Sequence, residues 1–160
     1  MVPPADGSDT AEGAELTRES RLLIGTFGAD RIQMFGVPTA NGWVCPQFVY
    51  SDGEEGDGGP CFSALRDGVS FSIEGDDGLY RVYGVAADDV RGVTVVTGTR
   101  RFAADMGRNG FVFETRPATV CPTEIKQLVV TTEDGRNSTI DLAEVSSLSA
   151  ASESELGCRE

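Results

Sequence analysis

The chain contains no histidine, and this absence removes whole classes of chemistry. Ser-His-Asp and Cys-His nucleophilic machinery, His-ligated zinc and His-held haem all need that side chain. Acid–base chemistry would have to use carboxylates, Tyr or Cys. No catalytic constellation stands out among these, so the sequence favours a non-enzymatic protein and predicts no cofactor.

Positive charge is also scarce. The 160 residues carry 13 Lys and Arg against 26 Asp and Glu, a formal net charge of −13, and Lys126 is the lone lysine. Nucleic-acid binding needs clustered Lys and Arg, so we predict no nucleic-acid partner. The same deficit argues against docking on an anionic membrane surface.

Long hydrophobic runs are missing as well. No apolar run approaches the roughly twenty residues of a membrane span. The first residues lack the apolar segment of a signal peptide. Residues 1–19 are acidic and hold almost no bulky apolar side chain. They cannot bury enough surface to offset the entropy of ordering, so a flexible arm or linker is predicted.

Four cysteines are present, and none belongs to a CxxC pair. A four-Cys zinc site would need that paired spacing, which leaves two disulfides or four free thiols. We favour Cys45–Cys61 and Cys121–Cys158, because each pair closes a loop within its own part of the chain. The other two connectivities stay open.

Disulfides indicate an oxidising compartment. The missing signal peptide conflicts with that location unless a native signal peptide or membrane anchor has been removed from this chain, which we adopt as the expectation.

What the sequence does contain is a series of short runs rich in Val, Phe, Tyr and Thr, separated by Asp, Asn and Gly. This pattern is typical of strands and turns. Tyr80–Thr115 holds three or four such runs and predicts a β-meander that forms the central sheet. Asn41-Gly42 and Asp134-Gly135 predict hairpin turns. Pro46 lacks a ladder donor, which predicts an edge strand or a bulge.

These signals together predict an all-β fold over residues 20–142. We expect a single antiparallel β-sandwich or partly closed barrel of about ten short strands. Residues 143–160 are predicted to form a tail tied by Cys158. Apolar residues at helical spacing near Leu142 predict either one short C-terminal helix or an irregular tail.

Two groups of residues are candidate sites. Asp52, Glu54 and Asp57 offer the hard oxygen ligands that calcium prefers, although a solvated acidic loop is the favoured interpretation and we predict no metal. Trp43, Phe48 and Tyr50 could line a binding surface, with a core role as the favoured alternative.

A further set of carboxylates stands in adjacent pairs, Asp76-Asp77 and Asp88-Asp89. Turn formation explains both pairs better than glycosidase-type chemistry does.

Several short motifs follow one another along residues 20–140. They are Arg21-Leu22-Leu23, Gly42-Trp43-Val44-Cys45, Gly59-Pro60-Cys61, Tyr83-Gly84-Val85, Val90–Val95, Asn109-Gly110-Phe111-Val112-Phe113 and Asp134-Gly135-Arg136. In this layout the chain resembles a loose group of uncharacterised exported or membrane-anchored actinobacterial proteins. The resemblance implies an extracytoplasmic β domain and carries over no catalytic residue.

The resulting functional expectation is an extracytoplasmic, non-catalytic β domain that binds or senses an unknown protein or small-molecule ligand. A structural cell-envelope interaction protein is the alternative, and a carboxylate-based hydrolase is the third.

Overall fold

The computed structural model describes residues 20–28, 31–54, 56, 60–62, 65, 67–76, 78–116 and 119–142. Eleven strands and one 3-10 turn lie within these ranges. They are β1 (Arg21–Phe27), β2 (Ile32–Pro38), β3 (Val44–Val49), β4 (Val69–Asp76), β5 (Leu79–Ala86), β6 (Val90–Thr97), β7 (Arg101–Ala103), β8 (Asp105–Met106), β9 (Gly110–Thr115), the 3-10 turn Pro122–Glu124, β10 (Ile125–Thr132) and β11 (Asn137–Asp141).

The strands form three antiparallel sheets. We call β1-β2-β3 the front sheet, β4-β5-β9-β8 the central sheet and β11-β10-β6-β7 the back sheet. No sheet closes into a barrel among the residues described. The predicted all-β sandwich is therefore confirmed.

The central sheet is covered on both faces. On β5, Val82 belongs to the hydrophobic cluster shared with the back sheet, whereas Tyr83 belongs to the cluster shared with the front sheet. Phe111 and Val112 divide in the same way on β9. Successive side chains of a strand point to opposite faces. This explains why β5 and β9 carry apolar residues at consecutive positions instead of alternating with polar ones.

The two clusters together form the core. The back cluster is built mainly from valine and other branched residues, and it includes Val69, Val93, Val95, Leu128, Val130 and Ile140. The front cluster is richer in aromatic residues, and it includes Ile24, Phe27, Ile32, Met34, Phe48 and Phe62.

The prediction that Tyr80–Thr115 forms a meander within one central sheet is wrong. β5 and β9 lie in the central sheet, but β6 and β7 lie in the back sheet. The turn in which the Val90 N–H donates to the Ala87 carbonyl (3.1 Å) takes the chain from one layer to the other. Strand and turn preferences locate such elements, but they do not say which sheet each strand joins.

The return crossing occurs at Ala104. Residues 101–106 pair first with β6 through β7 and then with β9 through β8. Between them, the Ala104 N–H donates to the Val93 carbonyl at 2.8 Å. One short stretch of chain therefore contributes to two sheets.

The predicted hairpins are confirmed. β2 and β3 pair across the Thr39–Gly42 turn, where Gly42 has φ of 84°. β10 and β11 pair across the turn that contains Gly135, with φ of 82°. A positive φ costs a residue with a Cβ atom, which explains glycine at both turns. Pro46 lies on β3, an edge strand of the front sheet, as its missing N–H predicts.

The Cys45–Cys61 disulfide is confirmed, with sulfur atoms 1.98 Å apart. Beside it, Val44 and Phe62 exchange both backbone hydrogen bonds, at 3.0 and 2.8 Å. The disulfide and this bridge together hold the chain after the loop against the outer edge of β3.

The predicted arm over 1–19, the tail over 143–160 and the Cys121–Cys158 pairing lie outside the described residues. In the part of the chain that the structure describes, no helix has the length and apolar character needed to cross a membrane.

Candidate functional site

A charged row crosses the central sheet on the face that meets the front sheet. Glu74 on β4 stands opposite Arg81 on β5, and Arg81 stands opposite Glu114 on β9. Cross-strand partners lie side by side on one face of a sheet. The Arg81 Nε lies 3.4 Å from Glu114 Oε1, and the two side chains are only 17% and 18% exposed. This row places three charges at the rim of an otherwise apolar interface.

The Arg81 guanidinium also contacts the front sheet. It lies over the Phe48 ring of β3, 5.5 Å from the ring centroid. Such cation–π contacts are stronger where water is excluded. The guanidinium is therefore contacted from two sheets, by Glu114 of the central sheet and by Phe48 of the front sheet.

The Phe48 ring that Arg81 contacts belongs to a cluster of aromatic side chains. Phe48 and Tyr83 meet edge to face at 5.1 Å, and Tyr83 meets Phe62 in the same way at 6.2 Å. Phe27 also meets Phe48 edge to face, with ring centroids 6.2 Å apart. Edge-to-face pairs of this kind add to the stability that burial itself supplies. The cluster therefore gives the site a rigid apolar wall.

The Tyr83 hydroxyl is buried, and no group in the described part of the chain meets hydrogen-bond geometry with it. The Glu74 carboxyl and the Ser72 hydroxyl are its polar neighbours, but neither meets hydrogen-bonding geometry. Burial raises the pKa of Tyr83 far above its usual value, and the negative charge of Glu74 adds to the effect. Most buried hydroxyls are paired, so an unpaired one marks an unusual position.

Burial also raises the pKa of Glu74 above its usual value of 4.5, although the Tyr83 hydroxyl and the Arg81 charge oppose the shift. Much of the Glu74 side chain is exposed. The rise reflects a carboxyl group turned into a partly desolvated recess. Perturbed carboxyl groups in clefts are frequent at functional sites.

These groups surround a cavity of about 430 Å³ between the front and central sheets. Its lining residues are Phe48, Tyr50, Glu74, Gly75, Leu79, Arg81 and Tyr83. Small-molecule sites are typically of this size and combine apolar walls with a few placed polar groups. We call this cavity the interlayer cavity.

The disulfide-closed loop supports one wall of the interlayer cavity. The Gly56 N–H donates to the Phe48 carbonyl at 2.8 Å, and Gln47 Nε2 donates to the Gly56 carbonyl at 2.6 Å. A Cβ atom on Gly56 would come within 2.4 Å of the Tyr50 ring. The loop thus packs closely against Tyr50 and holds it at the cavity.

The predicted aromatic surface is brought together only in part. Phe48 and Tyr50 line the interlayer cavity, but Trp43 lies at the other end of β3, in the turn where its N–H donates to Thr39 Oγ1 at 3.1 Å. Phe48 follows Trp43 by five positions, which corresponds to roughly 16 Å along an extended strand. Phe48 is also buried in the core, as the alternative interpretation expected.

The described residues of the predicted calcium site, Asp52 and Glu54, show no cluster of metal ligands. Asp52 Oδ1 accepts the Glu54 N–H at 2.9 Å, which is a local turn contact. Asp57 lies outside the described residues. No group of three residues able to ligate a metal occurs in the described ranges.

The Asp88–Asp89 pair lies in the β5–β6 turn, whereas Asp76 is the last residue of β4. Asp88 accepts a hydrogen bond from Asn109 Nδ2 at 2.8 Å, and the Asp89 carbonyl accepts the Glu133 N–H at 2.7 Å. These contacts tie the β5–β6 turn to neighbouring loops. Asp77 is not among the described residues.

Sequence reasoning missed Glu74, Arg81 and Tyr83. A signal was present in β5, where Arg81 interrupts a strand whose other residues are almost all apolar or aromatic. A charge within a strand buried on both faces needs a partner. The partner is Glu114, 33 residues away, and no local pattern identifies it.

A second concavity of about 300 Å³ lies at the other end of the front sheet. Apolar side chains dominate its walls, among them Leu23, Val44, Phe62 and Val85. Leu65 at its edge is 50% exposed. We call it the apolar concavity.

No protein-family model, curated protein or solved structure matches the chain, so its function has to be argued from this geometry.

Proposed function

We propose that the chain is an extracytoplasmic, non-catalytic domain that binds a small ligand in the interlayer cavity. The observation that carries the proposal is the position of Glu74 and Arg81 inside a cavity whose walls come from two different sheets. Ligand sites typically hold a few oriented polar groups on apolar walls.

The polar groups are available to a ligand. Arg81 uses its Nε toward Glu114, and its two terminal amino groups make no hydrogen bond to the described residues. The Glu74 carboxyl lines the cavity from the next strand. Donors and acceptors that are already held in place lose little conformational entropy when a ligand binds, and this favours affinity.

The proposed location rests on the disulfide and the resemblance. Stable structural disulfides occur mainly in proteins of oxidising compartments, and Cys45–Cys61 closes the loop that supports the cavity. Export in the manner of the actinobacterial proteins that the sequence resembles accords with this chemistry.

Hydrolysis by paired carboxylates fits the cavity less well. Glycosidases need two carboxyl groups that flank the scissile bond. Glu74 is the one carboxyl group among the described lining residues, and the Arg81 guanidinium stands between it and Glu114. A substrate bond would have to occupy the position that Arg81 already fills.

A structural interaction protein is the second candidate, because one observation favours it. Leu65 and Leu22 are 50% and 44% exposed, and Leu65 borders the apolar concavity. Exposed apolar residues beside a concavity are typical of protein contact surfaces.

Two filling variants separate these candidates. Leu79→Trp places a large ring in the interlayer cavity, and Leu65→Trp does the same at the apolar concavity. A small-molecule library is screened against the wild type and both variants by amide chemical shifts. We expect hits whose shifts centre on Gly75 and Arg81 and disappear in Leu79→Trp alone. Hits that survive Leu79→Trp, or a complete lack of hits, would overturn the proposal.

A further inference from the structure

We infer that the interlayer cavity takes a neutral, polyhydroxylated small molecule such as a monosaccharide, a disaccharide or a cyclic polyol. The inference rests on the proposed function and adds the chemical class of the ligand. Three independent features of the cavity support it: its charge balance, its hydrogen-bonding groups and its one accessible ring.

The charge balance disfavours anions. Glu114 already neutralises Arg81 at 3.4 Å, and Glu74 adds a further carboxylate beside them. An anionic ligand would meet these carboxylates on a chain of net charge −13. Like charges brought together in a partly desolvated site are strongly unfavourable.

The hydrogen-bonding groups match hydroxyls. A carboxylate oxygen pair accepts hydrogen bonds, and a guanidinium only donates them. Neighbouring hydroxyl groups of a polyol can donate to Glu74 and accept from the terminal amino groups of Arg81 at the same time. Arg81 and Glu74 are direct cross-strand partners, which sets acceptor and donor side by side.

The accessible ring supplies an apolar face. Tyr50 is 37% exposed and lines the cavity together with Leu79, whereas the other two rings in the lining, Phe48 and Tyr83, are buried. A sugar ring has a hydroxyl edge and an apolar C–H face, so it can bond to the charged row and pack on Tyr50 at once. The volume of about 430 Å³ leaves room for one or two such rings.

The test titrates the full chain with a panel of probes by amide chemical shift and calorimetry. Glucose, galactose, maltose and myo-inositol are the neutral polyols. Glucose 6-phosphate is the anion, glucosamine the cation, and glycine and glutamate the zwitterions. We expect at least one neutral polyol to shift Gly75 and Arg81. We also expect the anion, glucose 6-phosphate, to bind about tenfold more weakly than the neutral polyol, or worse.

Variants then locate the contacts. Glu74→Ala should weaken polyol binding by about tenfold or more, since it removes hydrogen bonds to a charged acceptor. Tyr50→Ala should weaken it by several-fold through loss of the packing face. Both side chains are partly exposed, so their removal leaves the core in place. Glu54→Ala is the control. It removes an exposed carboxylate that lies in the same loop as Tyr50 but does not line the cavity, so affinity should be unchanged.

The outcomes distinguish the two proposals. Binding of glycine, glutamate or an ionic sugar in the interlayer cavity, with no neutral polyol bound, overturns the ligand class and leaves the binding function standing. Polyol binding that Glu74→Ala does not weaken also overturns the ligand class. If no probe shifts the cavity residues, and a broad library gives the same result, both proposals fail.

Discussion

The Cys45–Cys61 bridge offers the sharpest test of the structure. The double variant Cys45→Ala/Cys61→Ala opens a loop of sequence separation 16. Loop-closure entropy for such a length corresponds to about 3 kcal/mol of lost stability. Cys45 is also 2% exposed and packs against Val37, so loss of its buried sulfur adds about 1 kcal/mol. We expect the free energy of unfolding to fall by about 3–4 kcal/mol.

The assay is urea unfolding with two probes. Trp43 is the lone tryptophan, and it lies two residues from Cys45 in the β2–β3 hairpin, so its fluorescence reports on the front sheet. Far-UV circular dichroism reports on all three sheets. Transitions that coincide in the wild type show that one cooperative unit is being measured.

Single variants provide the control. Cys45→Ala and Cys61→Ala each open the same loop, so each should lose nearly as much stability as the double variant. A loss below about 1 kcal/mol would contradict the entropic argument, since that argument predicts about three times as much. A double variant that loses twice as much as each single variant would show that packing, and not loop closure, dominates.

Three further predictions concern the central sheet. Tyr83→Phe removes a buried hydroxyl that lacks a partner among the described residues, so calorimetry should show the protein stabilised by about 1 kcal/mol. A loss of stability of that size would mean that the hydroxyl is paired. The folded-state pKa of Glu74 is raised, so its stabilising contribution is complete below pH 4.5 and is lost as pH rises through the folded value. The stability of the wild type relative to Glu74→Gln should therefore fall as the pH rises above 4.5. Gly84→Ala would set a Cβ atom 2.0 Å from the Ser70 carbonyl oxygen and should cost several kcal/mol by urea unfolding, while Gly92→Ala, with its nearest neighbour at 3.9 Å, should be tolerated.

Local features of the fold could be predicted from the sequence because each depends on nearby residues. Glycine at 42 and 135 and proline at 46 have their effect through backbone geometry alone. The Cys45–Cys61 pairing followed from the short loop between the two residues. These features fix where strands begin and turn.

The site could not be predicted in the same way, because its parts meet only after the sheets assemble. Glu74, Arg81 and Glu114 become neighbours through the register of β4, β5 and β9. The raised pKa of Glu74 arises when the front sheet excludes water from its carboxyl group. The wrong prediction for Tyr80–Thr115 has the same cause, because sheet membership is also decided only on assembly. A turn such as Ala87–Val90 can join two strands of a hairpin or carry the chain from one layer to the other.

The crossing at Ala104 has a mechanical consequence. Since residues 101–106 belong to two sheets, sliding the central sheet over the back sheet would break the ladder bonds of β7 or β8. No described strand ties the front sheet to the central one in that way, and side-chain packing joins them instead. The junction between the central and back sheets is therefore reinforced by backbone hydrogen bonds, whereas the junction that holds the interlayer cavity depends on side-chain packing.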